Sequence, residues 1–228
     1  MRLWNGWGNE DSDLTMELSD GLRALLEALV GSGTALSQAT LNEVIAKVPN
    51  TRLDDHPLIK TDPETRVRHA RGQSLPDWLE MHSGNVDTFP DGVAFPESSE
   101  QVRELLAHAK ENNLIVIPYG GGTSVVGHIN PETSDKPVLT IDMAKMNSML
   151  SIDTESQLAT FGAGAPGPVV EEELKKYGYT LGHFPQSWEL STLGGWVASR
   201  SSGQQSLHYG RIENMFAGGT IETLNGTM

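Results

Sequence analysis

The segment LIVIPYGGGTSVVG, residues 114–127, decides how this chain folds. It begins with four apolar residues, three of them β-branched, and so short a run is typical of a buried strand. Three consecutive glycines follow at positions 120–122. Because glycine has no Cβ, its backbone N–H groups can approach a ligand closely, and a row of them forms a nest for an anion. The sequence therefore predicts a strand that ends in an anion-binding loop, residues 118–127, here called the glycine loop.

The residues before the glycine loop predict a strand–helix–strand unit. Residues 93–95 form a short apolar run, and Ser98 is placed to cap the following helix. The apolar face of that helix contains Val102, Leu105, Leu106 and Ala109. Strand, helix and strand in this order predict two paired parallel strands with a right-handed crossover. Ligands of such sheets bind at the carboxyl ends of the strands, which is where the glycine loop lies.

Further elements are predicted after the loop. They are strands over residues 138–143 and 158–161, a helix over residues 168–177, a short helix over residues 191–199 and a strand over residues 215–224. Asn225-Gly226 is a strong hairpin-turn signal, but only Thr227 and Met228 follow it. We therefore expect no returning strand and an unpaired edge. A terminal Asn-Gly tail is the alternative.

The first 90 residues are expected to form a helical and irregular segment. Thr40 and Glu43 have the spacing of a capping box, which begins a helix before Pro49. Residues 50–92 contain four prolines, and we expect connecting structure there. An earlier helix is predicted by leucines at helical spacing, here called the leucine face: Leu18, Leu22, Leu25, Leu26 and Leu29.

Composition excludes several classes of protein. The 228 residues carry a formal net charge of -14, with no cysteine. A disulfide scaffold and cysteine chemistry are excluded, and the histidines have no metal-ligand spacing, so no metal site is predicted. The acidic charge disfavours nucleic-acid binding. No apolar run reaches the ~20 residues of a membrane span, and the polar start is unlike a signal peptide, so we expect a cytoplasmic protein without evident membrane association.

The glycine loop differs from two familiar phosphate-binding loops. The Walker pattern places a Lys after the last glycine, and Val125-Val126 stand there instead. The Rossmann GxGxxG spacing fails as well, because Val125 occupies the position of the third glycine. Thr123 and Ser124 add hydroxyl donors, so the loop suits a pyrophosphate. A flexible turn is the alternative.

Two more segments carry polar side chains of interest. Residues 182–203, here called the second cluster, alternate glycines with small hydroxylated residues. This composition fits the lining of an extended polar ligand and an irregular loop equally well. Arg66, Arg68, His69 and Arg71 form the densest cationic patch. We expect it to be a solvated surface, with a phosphate or carboxylate substrate contact as the alternative.

The glycine loop and the segment GHFPQSWELSTLGGWVASRSSGQ, residues 182–204, followed by Tyr209-Gly210, together resemble the FAD-binding domain of the vanillyl-alcohol-oxidase-type flavoproteins. The opening Trp4-Asn5-Gly6-Trp7-Gly8 and residues 66–75 resemble one branch of that family, the alkyldihydroxyacetonephosphate synthases. The resemblance spans nearly the whole chain, and its motifs stand in the family's order.

The resemblance implies an α+β fold. A PCMH-type FAD-binding domain of two α/β subdomains is expected over residues 91–228, after a short helical N-terminal segment over residues 1–90. In the family, FAD lies between a small α/β subdomain and a larger one with an antiparallel sheet. The second subdomain is expected to be incomplete at its C-terminus and the family's cap domain to be absent. We therefore expect the isolated chain to be inactive.

The resemblance also implies site residues. Non-covalent FAD is expected, because Thr123 and Ser124 occupy the region where the superfamily often carries a flavin-linked histidine. The implied cofactor-binding residues are Pro118, Tyr119, Gly120, Gly121, Gly122, Thr123, Ser124, Gly127, Pro185, Gln186, Ser187, Ser191, Thr192, Gly194, Gly195, Ser199, Arg200, Ser201 and Ser202. Gln186 departs from the acidic residue usual after that proline. His183 is the candidate catalytic residue, with a hydrogen-bonded structural histidine as the alternative.

The implied reaction is acyl-to-alkyl exchange on acyl-dihydroxyacetone phosphate, a step of ether-lipid synthesis that FAD supports in the complete enzyme. One alternative is an FAD-dependent 2-hydroxy-acid dehydrogenase or oxidase, because a fold does not decide a function. Another is an isolated, non-catalytic FAD-binding fragment. The expected partner is a small-molecule substrate rather than nucleic acid, and a homodimer is a candidate assembly.

Overall fold

The computed structural model describes residues 1–11 and 17–228. The helices are α1 Asp20–Val30, α2 Leu41–Ile45, α3 Pro63–Arg68, α4 Leu75–Ser83, α5 Ser99–Glu111, α6 Gly167–Lys175, α7 Leu193–Ser199, α8 Ser206–Tyr209 and α9 Ile212–Met215. The strands are β1 Ile59–Lys60, β2 Gly92–Ala94, β3 Ile115–Tyr119, β4 Val138–Asp142, β5 Met149–Asp153, β6 Leu158–Phe161, β7 Glu222–Thr223 and β8 Gly226–Thr227. No helix in these described ranges is long and apolar enough to cross a membrane.

A four-stranded sheet in the order β1-β2-β4-β3 carries the glycine loop. The strands β2, β4 and β3 are parallel, and β1 runs antiparallel to β2. The predicted strands and their parallel direction are confirmed, but their direct pairing is wrong, because β4 lies between them. All five residues of β4 are buried, as expected of a central strand covered on both faces.

The helix α5 covers this sheet as its apolar pattern predicts. Ser98 accepts a hydrogen bond from the backbone N–H of Gln101 at 3.4 Å, which confirms the predicted cap. Leu105 is fully buried against Ala94 and Leu139 of the sheet. This packing seats α5 on the sheet whose strand β3 leads into the glycine loop.

The second half of the chain contributes a β-hairpin and a covering helix. The strands β5 and β6 pair antiparallel, and Val170 and Leu174 of α6 form a small core with Ala165. Ile152 and Phe161 of the hairpin pack against that core. Mixed helices and sheets over the whole chain confirm the predicted α+β class.

The end of the chain differs from the expectation. A returning strand exists, because β7 pairs antiparallel with β8, and the backbones of Ile221 and Met228 exchange two hydrogen bonds of 2.9 and 2.8 Å. The strand expected over residues 215–224 is confined to β7 and is preceded by α9. Gly226 adopts a φ of 116°, a conformation that favours glycine and lets so short a turn close.

The N-terminal segment has more regular structure than predicted. The capping box of Thr40 and Glu43 is confirmed at the start of α2. Residues 50–92, expected to be connecting structure, contain β1, α3 and α4, and β1 joins the main sheet. The helix α1 forms as predicted after its cap Ser19, but none of its side chains is buried. Leu25 is 54% exposed and Leu29 71% exposed, so the leucine face contacts no core.

Candidate functional site

The glycine loop leaves the carboxyl end of β3 beside the end of β4, where Tyr119 pairs in register with Asp142. Tyr119 is buried beneath the loop, and burial raises the pKa of its hydroxyl to about 12. Gly122 adopts a φ of 66°, and a Cβ there would overlap the Tyr119 hydroxyl. Glycine is therefore required at position 122 for two independent reasons.

The most informative feature of the loop is its row of free donors. Within the described part of the chain, none of the backbone N–H groups of residues 121–124 donates a hydrogen bond to the protein. Thr123 also offers a hydroxyl without a partner there, whereas the Ser124 hydroxyl lies 3.1 Å from His128 Nδ1 and accepts from the Val126 N–H. Four consecutive unpaired amides form a nest of partial positive charge.

Two contacts hold carbonyl groups of residues 121–124. Arg2 Nη1 donates to the carbonyl oxygen of Gly121, and the Gln73 N–H donates to the carbonyl oxygen of Ser124 at 2.6 Å. In a planar trans peptide the C=O and the following N–H point in opposite directions. The N–H groups of Gly122 and Val125 therefore point away from these partners. The two carbonyl oxygens are held on the opposite side, where they would not repel an anion bound to the amides.

The second cluster lies directly against the glycine loop, although some 70 residues separate them. A Cβ on Gly120 would overlap the Thr192 hydroxyl, and a Cβ on Gly121 would overlap the carbonyl oxygen of Leu190. Thr192 caps α7 by accepting from the Gly195 N–H at 3.4 Å. The structure thus brings together the two segments that the sequence singled out, and the glycines permit that approach.

A chain of side-chain contacts orders the interior of the second cluster. Trp196 Nε1 donates to Ser191 Oγ at 2.6 Å, and Ser191 Oγ donates to the carbonyl oxygen of Ser187 at 2.8 Å. His183 meets Trp196 edge to face, with ring centroids 5.0 Å apart, and its Nε2 lies 3.1 Å from Ser201 Oγ. Four predicted site residues, together with Trp196 beside the predicted Gly195, therefore form one connected side of the site, here called the wall.

His183 carries an unsatisfied polar atom in this wall. The residue is 1% exposed, and its Nδ1 is buried without a hydrogen-bond partner among the described residues. Burial lowers the pKa of His183 below the ordinary histidine value of 6.5, so the ring is neutral at pH 7. Trp188 Nε1 is a second such orphan in the same cluster. Unpaired buried polar atoms are rare in proteins, and a bound ligand is one explanation for them.

Several predicted site residues lie away from this wall. Arg200 forms an ion pair with Glu213 at 3.0 Å, and Ser199 Oγ donates back to the Gly195 carbonyl at 2.8 Å. Six of the predicted site residues are exposed to solvent: Pro118, Gln186, Gly195, Ser199, Arg200 and Ser202. Gly127 forms a turn with a φ of 73°. A role for these residues in binding stays a prediction.

The cationic patch is not a solvated surface. Arg66, His69 and Arg71 are all buried. Arg66 Nε donates to the Pro90 carbonyl at 2.6 Å and its Nη1 to the Pro49 carbonyl at 2.7 Å. The expectation of a solvated patch is wrong because backbone carbonyls and carboxylates, rather than water, accept hydrogen bonds from these side chains. Sequence spacing alone does not reveal such partners.

Sequence reasoning missed the two residues that hold the glycine loop, Arg2 and Gln73. It placed His69 in the cationic patch but not its contacts: His69 Nε2 lies 3.0 Å from Asp142 Oδ2, and its ring centroid lies 4.7 Å from that of Tyr119. Both Arg2 and Gln73 stand near segments that the sequence analysis singles out, since Arg2 lies two residues before Trp4 and Gln73 lies within residues 66–75. The described residues contain no group of three or more His, Asp or Glu side chains arranged to hold a metal ion.

Comparisons with known proteins agree with this geometry. Residues 90–228 match the FAD binding domain family. The alkyldihydroxyacetonephosphate synthase of Dictyostelium discoideum is 41% identical over 175 residues, covering 74% of this chain and 29% of that protein. A solved structure of an alkyldihydroxyacetonephosphate synthase has a TM-score of 0.84 at 31% identity, covering 100% of this chain and 48% of that one. The mitochondrial D-lactate dehydrogenase (cytochrome) 1 of Saccharomyces cerevisiae is more distant, 29% identical over 152 residues, covering 66% of this chain and 25% of that protein.

A nest of free amides at the end of a parallel strand, together with these matches, defines a flavoprotein domain. The chain belongs to the FAD binding domain family, and its cofactor is FAD. It spans about half the length of the solved structure it resembles and less than a third of its curated relative from D. discoideum.

Proposed function

We propose that the glycine loop binds the pyrophosphate of FAD without a covalent bond. The observation that carries this proposal is the row of four unpaired N–H groups at residues 121–124, with the carbonyls of Gly121 and Ser124 held by Arg2 and Gln73. Neutral donors suit this acidic chain, because they stabilise a dianion without needing a cluster of lysines. Thr123 adds one unpaired hydroxyl donor.

The second cluster forms the other wall of this site in the proposal. Ser191 and Thr192 lie against the loop and are placed to contact the same ligand. His183 Nδ1 is the buried polar atom available to a flavin, and its neutral ring exchanges one hydrogen bond without adding charge. When bound, FAD supplies the redox chemistry, and the protein positions it.

A titration with a matched variant tests the cofactor site. Flavin fluorescence is followed while FAD, and separately FMN, is added to the purified 228-residue chain. FAD is expected to saturate at one per chain, and FMN, which lacks the pyrophosphate, to bind far more weakly. Thr123→Val is expected to weaken FAD binding about tenfold, because a hydrogen bond to a charged group is worth roughly 1.5–3 kcal/mol. Ser32→Ala, an exposed hydroxyl elsewhere, is the control; equal affinity for FAD and FMN contradicts the proposal.

For the whole protein, we propose the reaction of the alkyldihydroxyacetonephosphate synthases. In that exchange an alcohol oxygen takes the place of the acyl ester on acyl-dihydroxyacetone phosphate, and a fatty acid leaves. The identity to the D. discoideum enzyme supports this assignment. The test uses a protein of the full length of its relatives, with acyl-dihydroxyacetone phosphate and a long-chain alcohol. Ether product together with released fatty acid is the expected result.

The second candidate is a flavin-dependent 2-hydroxy-acid dehydrogenase or oxidase. The match to a D-lactate dehydrogenase favours it, although at lower identity than the synthases. Bleaching of the flavin by a 2-hydroxy acid, without ether formation, would select this function. No bleaching by any of a panel of 2-hydroxy acids would remove it.

A homodimer and a cytoplasmic location complete the proposal. The exposed leucine face of α1 supports the dimer, because apolar patches of this kind mark interaction surfaces. Sedimentation tests the assembly and cell fractionation tests the compartment.

A further inference from the structure

The first ten residues form a small hairpin, here called the N-terminal hairpin. Arg2 and Asn9 face each other as an antiparallel bridge. The Leu3 N–H donates to the Gly8 carbonyl at 3.0 Å, and the Glu10 N–H donates to the Met1 carbonyl at 2.8 Å. Gly8 makes the reversal with a φ of 98°. The tryptophan–glycine motif of the sequence is therefore the turn of a defined structure.

Side chains from the body of the protein fix this hairpin in place. Arg68 Nη1 donates to the Arg2 carbonyl at 2.8 Å, and Arg68 Nη2 pairs with Glu10 Oε1 at 3.1 Å. Trp4 packs against the core cluster that contains Val44 and Val67. Because the hairpin is held at both its strands and its turn, the backbone from which the Arg2 side chain extends is fixed in place.

Arg2 reaches from the hairpin to the backbone of the glycine loop, 119 residues away in sequence. Its Nη1 donates to the Gly121 carbonyl, which turns the N–H of Gly122 to the opposite side. The positive charge of Arg2 also acts on Tyr119 beneath the loop: burial raises the pKa of the Tyr119 hydroxyl, and Arg2 lowers it. Arg2 thus acts on both the orientation and the electrostatic potential of the loop.

The charge of Arg2 is significant because the loop supplies none of its own. Residues 118–127 contain no Lys or Arg, and the chain as a whole carries a net charge of -14. Long-range repulsion therefore opposes any anion that approaches the amides. Within the described residues, the guanidinium that contacts the loop is that of Arg2.

We propose that the N-terminal hairpin is part of the dinucleotide site and that Arg2 is its positioning residue. Arg2 holds the Gly121 carbonyl back so that the amides stay directed at the pyrophosphate, and it offsets the acidic field of the chain. This inference rests on the proposed function, because it requires an anion at the glycine loop.

Arg2→Gln and Arg2→Lys in the untagged 228-residue chain test the inference. Arg23→Gln is the matched control, because Arg23 is exposed on α1. We expect Arg2→Gln to weaken FAD binding at least about tenfold at low salt and to bind FAD more tightly as salt is added, because salt screens the repulsion that Arg2 no longer offsets. Arg2→Lys keeps the charge and is expected to recover part of the affinity. The same affinity and salt dependence in Arg2→Gln and Arg23→Gln would overturn the inference.

A second readout needs no flavin. Backbone ¹⁵N relaxation of the free chain reports the order of residues 120–124. Arg2→Gln is expected to lower the order parameters of Gly121 and Gly122 from the rigid range, about 0.85, toward the flexible range below about 0.6. If the unaltered chain binds no FAD, the proposed function fails, and this readout alone decides whether Arg2 positions the loop. Unchanged order parameters would then overturn that contact.

Discussion

Gly121 shows how a single residue couples two distant segments. A Cβ at this position would overlap the Leu190 carbonyl, and both partners are backbone, so neither can rotate away. Gly121→Ala is expected to lower the free energy of unfolding by about 1–3 kcal/mol, the usual cost of overpacking. Urea denaturation measures this. Gly33→Ala, where nothing lies within 4 Å, is the control, and an equal effect of both substitutions would contradict the close approach.

The buried ring of His183 predicts how the free energy of unfolding depends on pH. Burial lowers its pKa in the folded chain, so between that value and 6.5 the unfolded chain binds a proton that the folded chain does not. The stability that the neutral ring contributes is complete above pH 6.5 and is lost as the pH falls below it. The difference in unfolding free energy between the unaltered chain and His183→Gln is therefore expected to decrease from pH 7.5 to pH 5.

Denaturant unfolding at several pH values measures this difference. His208→Gln, an exposed histidine, is the control and should follow the unaltered chain at every pH. A His183→Gln variant that also follows the unaltered chain would show that the ring titrates as an exposed histidine does.

At the residue scale, the sequence predicts an anion-binding loop but not the contacts that hold the loop in place. The glycines at positions 120–122 predict a nest, because the absence of a Cβ is a local property that the sequence shows directly. The contact of Arg2 with Gly121 joins positions far apart in the chain, and no local pattern encodes it.

Among the elements, the helices α3 and α4 show why the prediction of connecting structure over residues 50–92 is wrong. Prolines predict breaks, but Pro63 and Pro76 both lie in the first turn of a helix, where the missing N–H costs nothing. The caps Asp62 and Ser74 stand directly before those turns. The strand order β2-β4-β3 could not be predicted in this way, because apolar patterns identify strands but do not show which strands are neighbours in the sheet.

The cap of α4 can be tested directly. Ser74 Oγ accepts from the Asp77 N–H at 3.2 Å and donates to Asp77 Oδ2 at 2.6 Å. Ser74→Ala is expected to lower the free energy of unfolding by about 1 kcal/mol, which is typical of a lost N-cap. Thermal or urea unfolding gives the value, with Ser32→Ala as the control. No difference between the two variants would mean that this cap contributes nothing to stability.

The whole molecule exposes more surface than its size requires. Its accessible surface is 13793 Å², whereas a compact monomer of this mass exposes about 10,100 Å². The leucine face of α1 is part of the excess. A surface of this kind favours association of the chain with an apolar partner.

If that partner is a second copy, Leu25→Glu is expected to shift the sedimentation of the chain from dimer to monomer. Leu207→Glu, at a fully exposed leucine outside α1, is the control. A dimer that persists in Leu25→Glu would show that the leucine face is not the interface.

If the unpaired amides of the glycine loop bind the pyrophosphate of FAD, as we propose, their own signals should report it. An NMR titration of the ¹⁵N-labelled chain with FAD observes those N–H groups themselves. We expect the signals of residues 121–124 to shift together and to saturate at one FAD per chain, while those of Gly31 and Gly33 do not move. Saturable FAD binding that leaves residues 121–124 unshifted would contradict it.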